Sequence, residues 1–173
     1  KIENVFPKNT YVLTQVLKEP ISTKGPRLSC EITLPGRYLV LAPFAESVAV
    51  SKKISSNEER KRLKLLIESI KPKKFGVIVR TAAEGKKVAD LHSEIKELTD
   101  KWELIYEELR NSKLPQKLLS EIDKTSSILR DLLNENFTKI SVNKKELHDS
   151  LKDYLKSIAP EKAKILNLYK GVK

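Results

Sequence analysis

Short apolar runs separated by turn-forming residues dominate the first half of the chain. Four of them are rich in β-branched and aromatic residues: residues 11–17, 28–34, 38–41 and 48–50. Such runs predict β-strands, and the last is expected to pair back on the earlier ones. A further apolar run, residues 75–79, has the composition of a buried strand and leads directly into Arg80 and Thr81. These two side chains are therefore expected at the lip of a sheet, just before a helix.

A first helix is predicted between the strands at 48–50 and 75–79. Ser56 and Glu59 have the spacing of a capping box, in which the hydroxyl and the carboxylate satisfy the first backbone donors. Lys71 precedes a proline, which ends the helical pattern. The apolar residues of this segment recur at helical spacing and predict one buried face: Leu63, Leu66, Ile67 and Ile70.

After Gly85, apolar residues recur alternately every three and four positions from Val88 to Leu109. This pattern predicts a long helix with a heptad-like seam. Leu114-Pro115 interrupts it, and a second stripe follows at Leu118, Ile122, Leu129 and Leu132. A short break between two stripes favours an antiparallel helical hairpin. The alternative is an intermolecular coiled coil that makes the chain a dimerising scaffold.

The C-terminal segment predicts a strand at 137–142, a helix at 144–158 and a second strand at 165–169. A unit of this size favours a parallel strand pair with a right-handed crossover. Strands followed by helices in this order predict an α+β fold for the whole chain.

The charge of the chain narrows the choice of partner. Thirty-four Lys and Arg residues against 23 Asp and Glu give a formal net charge of +11. Such an excess favours a polyanion, with RNA ahead of DNA or a membrane, because phosphate neutralisation releases counterions. Charge that serves solubility alone is the alternative. No apolar run approaches the ~20 residues that span a bilayer, and no signal peptide is present, so a cytoplasmic location without membrane contact is expected.

Few residues offer chemistry of their own. The single cysteine, Cys30, excludes an internal disulfide and an all-thiolate metal site, and it is expected to be a small buried strand residue. His92 and His148 fall in separate helices without neighbouring ligands, and surface positions are expected for both. No constellation for acid–base catalysis or metal binding is evident, so catalytic and metal residues are predicted to be absent. The chain begins at Lys1 and contains no methionine, and we expect it to be an internal fragment of a larger protein.

Arg80 and Thr81 are the most informative pair. A guanidinium presents a planar fork of donors that fits a phosphate, and a neighbouring hydroxyl adds another donor. The pair suggests a phosphate pocket. Ordinary surface hydrogen bonding at a strand end is the alternative.

Six ordered segments carry a resemblance that covers nearly the whole chain: residues 18–27, 34–44, 48–54, 75–86, 128–133 and 166–171. They resemble the ribonuclease E/G family, bacterial endoribonucleases that sense the 5′ end of RNA, and in particular its ribonuclease G-like branch. The resemblance implies that residues 1–34 are the closing strands of an OB-type RNA-binding barrel. Residues 35–136 would be a 5′-sensor domain of strands packed with a long helical hairpin, and residues 137–173 a partial ribonuclease H-like β-α-β segment.

The resemblance also implies roles for individual residues. Arg80 and Thr81 match the pair that contacts the 5′-terminal phosphate, and Gly36 and Val40 match positions where backbone groups approach the same RNA end. A glycine would let a phosphate or base come close to the main chain. Lys52 stands where relatives often have a second phosphate-binding arginine; it keeps the charge and loses the fork. A simple β-turn for Gly36 and a core strand position for Val40 are the alternatives.

Lys24 matches a lysine in a loop that touches RNA, with a solvated turn lysine as the alternative. The resemblance further implies a single-stranded RNA partner, preferably 5′-monophosphorylated, and a parent endoribonuclease, an RNA phosphodiester hydrolase of RNA processing and decay. No cofactor is expected in this chain. Mg²⁺ and zinc are expected in other parts of the parent, which is expected to be a homo-oligomer, and this chain alone is expected to be inactive. A basic structural RNA-binding or coiled-coil assembly module without end specificity is the competing hypothesis.

Overall fold

The structure is a computed structural model that describes residues 1–111, 113–120, 123–134 and 136–171. It has mixed α and β structure, which confirms the predicted α+β class. The chain divides into two compact units, residues 1–119 and residues 120–173. The three segments predicted from the sequence have their boundaries after Leu34 and after Asn136. Their assignment to three domains stays a prediction. Ile122 of the predicted second stripe lies outside the described residues.

The first unit contains a two-stranded antiparallel ribbon and a four-stranded sheet. The ribbon pairs β1 (Gln15–Lys18) with β2 (Arg27–Ser29). The sheet has the strand order β3-β4-β6-β5. Its strands are β3 (Leu34–Pro35), β4 (Leu39–Pro43), β5 (Val48–Val50) and β6 (Phe75–Val79). β4 runs antiparallel to β3 and β6, whereas β5 runs parallel to β6.

Several strand predictions need correction. The expected strand at 11–17 begins only at Gln15, and the expected strand at 28–34 is two short strands with a bend at Cys30. The break is bridged by Gln15, whose side-chain amide exchanges hydrogen bonds of 2.9 Å with the backbone N–H and carbonyl of Thr33. A side chain therefore replaces a strand partner there. Cys30 is exposed in this bend, so its prediction as a buried strand residue is wrong. β5 pairs with β6 and not with the earlier strands.

Two helices cover one face of the sheet. They are α1 (Asn57–Ile70), which links β5 to β6, and α2 (Val88–Asn111). Alternation along the strands turns one set of side chains toward these helices. The fully buried side chains include Leu39, Leu41, Val77 and Val79 from the strands and Leu63, Ile67 and Leu91 from the helices. Ser56 caps α1 as predicted by accepting a hydrogen bond from the Glu59 N–H at 3.2 Å. Lys71 is its C-cap.

The second unit has its own core. It contains α3 (Lys124–Leu132), α4 (Lys145–Ile158) and the parallel strands β7 (Ile140–Val142) and β8 (Leu166–Leu168). The parallel pair and the helix between its strands confirm the predicted strand–helix–strand unit, and the right-handed crossover stays a prediction. Among the described residues, the buried members of this core are Leu129, Leu133, Leu151, Leu155, Ala159 and Leu166.

The residues of the two predicted helical stripes divide between the two cores. The α2 stripe is buried against the sheet of the first unit, through Leu91, Ile95, Leu98, Trp102 and Ile105. Of the second stripe, Leu118 packs against that same core, Leu129 belongs to the core of the second unit, and Leu132 is 59% exposed. The predicted hairpin stays a prediction. Heptad-like spacing indicates which face of a helix is apolar, but it does not distinguish burial of that face against a sheet from burial against a second helix.

Candidate anion-binding site at one edge of the sheet

The topology brings three connections to the same edge of the four-stranded sheet. Because β5 and β6 are parallel and β4 is antiparallel to β6, the ends of β5 and β6 lie beside the start of β4. The Ser51 N–H donates to the Val79 carbonyl at 2.9 Å, and the Arg80 N–H donates to the Tyr38 carbonyl at 2.8 Å. The connections after β5, after β6 and before β4 therefore converge on this edge.

Arg80 is fixed at the end of β6 by the loop that precedes β4. Its backbone is extended, with φ −87° and ψ 165°, and its N–H bonds Tyr38 as described. Its guanidinium Nη1 donates to the Gly36 carbonyl at 2.8 Å. The side chain is half-buried. Two bonds to one loop, one from the backbone and one from the side chain, set the direction in which the guanidinium fork points.

Thr81 follows at the surface. It opens a short 3₁₀ turn, Thr81–Ala83, in which the Ala83 N–H donates to the Arg80 carbonyl at 3.1 Å. The Thr81 residue is exposed. The predicted arrangement, a strand that delivers a guanidinium and a hydroxyl to the lip of a sheet, is what the structure contains.

The turn after Thr81 is tied to α1 through Glu59. Gly85 adopts a φ of +69°, a conformation that favours glycine, and its N–H donates to the Glu59 carboxylate at 2.9 Å. The same carboxylate accepts two bonds of 2.6 Å from Arg62. The Arg62 hydrogen bond, helped by the Gly85 N–H, lowers the pKa of Glu59 to about 2. The second half of the predicted capping box is therefore wrong, because the Glu59 carboxylate serves Arg62 and Gly85.

The half-buried residue Glu94 of α2 organises the loop at 36–39 through its carboxylate. The Glu94 carboxylate accepts hydrogen bonds from the backbone N–H groups of Arg37 at 2.6 Å, Tyr38 at 2.9 Å and Leu39 at 2.7 Å. Burial raises the pKa of Glu94, the three backbone donors oppose that rise, and the nearby charge of Glu97 adds to it.

The structure gives a reason for a glycine at position 36 that differs from the predicted close approach of RNA to the main chain. A Cβ at this position would lie 2.6 Å from the Glu94 Cδ and 2.9 Å from each carboxylate oxygen. The missing Cβ therefore makes room for the protein's own carboxylate. The Gly36 N–H donates to the Leu39 carbonyl at 2.8 Å, which closes the turn between β3 and β4.

The remaining predicted residues occupy different places. Lys52 is exposed in the turn after β5, at the same edge as Arg80. Val40 is half-buried within β4, opposite Ile78 of β6 on one side and Pro35 of β3 on the other. Lys24 is exposed in the connection between β1 and β2, where it forms a β-bridge with Ile21. Thus Arg80, Thr81, Gly36 and Lys52 are brought to one edge, Val40 lies within the adjoining strand, and Lys24 belongs to the ribbon.

Two further cations surround the loop at 36–39. The Arg37 guanidinium lies 5.3 Å and the Lys86 ammonium 5.5 Å from the centroid of the Tyr38 ring. Cations within about 6 Å of a ring are attracted by its face. We call the set Arg37, Lys52, Arg80 and Lys86 the basic edge. Its positive potential can attract an anion, and the Arg80 guanidinium, which Gly36 orients, can bind a phosphate in a defined direction.

Sequence reasoning missed Arg37, Tyr38, Lys86 and Glu94. The first three stand inside segments that carried the family resemblance, so a signal for them existed. Glu94 looked like an ordinary polar position of a helix, and its partners lie 55 to 57 residues away in the chain. No local pattern points to it.

Within the described ranges, no group of three or more His, Cys, Asp or Glu side chains could hold a metal ion. No helix in the described part of the chain is long and apolar enough to cross a membrane. His92 is exposed, and His148 is half-buried with its Nδ1 at 3.0 Å from the Asp149 carboxylate.

Comparison with known proteins gives a single family. The model of the Ribonuclease E/G family matches residues 33–173. A protein named Ribonuclease E from a Nostoc species is 40% identical over 146 residues, which is 84% of this chain and 21% of the relative. Proteins named Ribonuclease G from Haemophilus influenzae and Escherichia coli (strain K12) are 39% and 35% identical, over 92% of this chain and 33% of each relative.

The chain therefore belongs to the ribonuclease E/G family, which confirms the resemblance found in the sequence. It spans only between about a fifth and a third of the length of these relatives.

Proposed function

We propose that this chain is the RNA-binding and 5′-monophosphate-sensing region of a single-strand endoribonuclease that processes and degrades RNA. The observation that carries the proposal is the oriented guanidinium of Arg80, held at 2.8 Å by Gly36 in the middle of the basic edge. Membership of the ribonuclease E/G family makes RNA the polyanion to test. The formal charge of +11 supports a polyanionic ligand.

In the proposed complex, Arg80 and Thr81 bind the terminal phosphate and Lys52 adds positive potential. A charge-assisted hydrogen bond of this kind contributes about 1.5–3 kcal/mol, or roughly ten- to a hundredfold in affinity. A hydroxyl end lacks the charge and forfeits these contacts. A triphosphate end must place two more charged groups beside the same fork, so closure around it is disfavoured.

Capture of the 5′ end would tether the RNA to the parent protein. Tethering raises the local concentration of downstream sites without any new contact to them. In this proposal, hydrolysis takes place in parts of the parent outside this chain, where Mg²⁺ and zinc are also proposed to bind. The parent is proposed to be a homo-oligomer. Among the described residues, no cluster of three or more His, Cys, Asp or Glu side chains could hold either metal.

The competing hypothesis is a basic module that binds RNA without reading its end. The charge of +11 favours it, and it predicts diffuse affinity with a steep salt dependence. The coiled-coil version of that hypothesis is disfavoured, since Leu91, Ile95 and Leu98 of the α2 seam are at most 3% exposed within this chain.

Fluorescence anisotropy separates the two hypotheses. One short single-stranded RNA is prepared with a 5′-monophosphate, a hydroxyl or a triphosphate and titrated with the 173-residue chain at two salt concentrations. Arg80→Ala is compared with Arg110→Ala, an exposed arginine in the last turn of α2. We expect the unchanged chain to bind the 5′-monophosphate RNA more tightly than the other two forms. Arg80→Ala should abolish this preference, and Arg110→Ala should retain it. Equal binding of all three ends by the unchanged chain would favour the unspecific basic module.

A further inference from the structure

Glu94 is not one of the cations of the basic edge, but its carboxylate binds the loop that orients Arg80. It stands on α2 between the buried residues Leu91 and Ile95, so the helix is fixed on both sides of it. From there its carboxylate binds three successive backbone N–H groups of the loop at 36–39. The turn between β3 and β4 is thereby attached to the hydrophobic core.

The same loop holds Arg80. The carbonyls of Gly36 and Tyr38 accept the side-chain and backbone bonds of Arg80, each at 2.8 Å. The loop thus receives bonds from Arg80 through its carbonyls and donates bonds to Glu94 through its N–H groups. The hydrogen bonds of this relay are 2.6 to 2.9 Å long, with one further bond of 3.2 Å from the Tyr38 N–H to Glu94 Oε1. A shift of the loop therefore moves the acceptor that orients the guanidinium.

We propose that Glu94 is a positioning residue of the 5′-phosphate site, which sets the direction of the Arg80 guanidinium through the loop at 36–39. The inference rests on the proposed function, because it concerns how that same site discriminates RNA ends. It adds a specificity determinant that does not touch RNA. It also assigns the Gly36 main chain a role different from direct RNA contact: its carbonyl orients Arg80.

The close fit of Gly36 supports this assignment over a competing one. Three N–H groups in a row could bind an RNA phosphate directly, and Glu94 would then be an internal competitor that has to leave. The contacts disfavour that reading, since the Glu94 carboxylate is bonded to the loop at 2.6, 2.7 and 2.9 Å and fills the space that a Cβ on Gly36 would need. A Glu94 carboxylate with these contacts is suited to hold the loop at 36–39 in place.

The test measures end preference, the ratio of the affinities for 5′-monophosphate and 5′-hydroxyl RNA. Glu94→Ala and Glu94→Gln are compared with Glu103→Gln, an exposed glutamate on the same helix. Arg80→Ala and the unchanged chain are included, and far-UV circular dichroism checks that each variant is folded. We expect Glu94→Ala to lower the preference by about tenfold, the equivalent of one charge-assisted hydrogen bond, and to leave hydroxyl-RNA affinity unchanged. Glu94→Gln keeps one acceptor oxygen and should retain part of the preference.

The outcomes distinguish this inference from the proposed function. If the unchanged chain shows a preference that Arg80→Ala removes but folded Glu94→Gln and Glu94→Ala keep, Glu94 does not position the site. If Glu94→Ala strengthens monophosphate binding, Glu94 is a competitor and the inference is overturned. A fall in the affinity for both RNA ends together would show a merely structural role. Absence of any preference in the unchanged chain refutes the proposed function itself.

Discussion

Replacing Gly36 with alanine tests the coupling between the loop at 36–39 and Glu94. The new Cβ would lie 2.6 Å from the Glu94 Cδ, whereas carbon atoms normally approach to about 3.5–4.0 Å. The carboxylate must therefore retreat by about 1 Å. A retreat of that size takes its bonds to Arg37, Tyr38 and Leu39, now 2.6 to 2.9 Å, beyond hydrogen-bonding distance.

The expected cost follows from those bonds. A hydrogen bond to a charged group contributes about 1.5–3 kcal/mol, and a donor left unpaired in a buried site adds to the loss. Because the bonds share one carboxylate, their losses are not additive, and we expect Gly36→Ala to lower the free energy of unfolding by about 2–4 kcal/mol. In a Glu94→Ala background the carboxylate that clashes with the new Cβ is absent. Gly36→Ala should then lower the free energy of unfolding by less than about 1 kcal/mol.

Urea unfolding followed by tryptophan fluorescence measures both values. The chain has a single tryptophan, Trp102, in the core of the first unit, so the signal reports the unit that contains the loop. Gly25→Ala is the matched control, since a Cβ at Gly25 would meet no atom within 4 Å. Equal costs of Gly36→Ala with and without Glu94 would refute the reasoning, because they would show that the carboxylate and the glycine are not coupled.

Two further predictions concern the first unit. Leu98→Ala should destabilise it by about 2–5 kcal/mol in the same urea assay, as expected for a buried leucine. The control is Leu104→Ala, which should have little effect because Leu104 is 65% exposed on the same helix. Equal effects of the two substitutions would contradict the assigned buried face of α2. Glu59 should contribute stability that is complete above its ordinary pKa of 4.5 and is lost as the pH falls toward 2, since its folded pKa is lowered to about 2. Urea midpoints between pH 5 and pH 2 should therefore fall less steeply for Glu59→Gln than for the unchanged chain or for Glu58→Gln, and parallel curves would count against the Glu59 contacts.

Local patterns were enough to predict much of the fold. The helix that begins after Ser56 and ends at Lys71 was predictable because its capping residue and its terminating proline stand next to it in sequence. β6 was predictable from five consecutive apolar or small residues, and with it the position of Arg80 at a sheet edge. The parallel pair β7 and β8 followed from the spacing of strand, helix and strand.

The errors arose where a side chain or a distant element decides the structure. The strand predicted at 28–34 is interrupted where the Gln15 amide takes the place of a strand partner for Thr33. The seam of α2 identified the buried face correctly, but it could not show that the sheet of the first unit covers that face, because periodicity records that a face is covered and not what covers it. Glu94 could not be found at all, since its partners are more than 50 residues away and its own neighbours resemble any amphipathic helix.

We propose that Arg80 reads the chemical state of an RNA 5′ end. The ratio of the dissociation constants for 5′-hydroxyl and 5′-monophosphate forms of one RNA, measured for the unchanged chain and for Arg80→Ala, tests it most directly. We expect a ratio of roughly ten or more for the unchanged chain, falling to about one in the variant. A ratio of about one in both proteins, with affinity that depends only on salt, would contradict it.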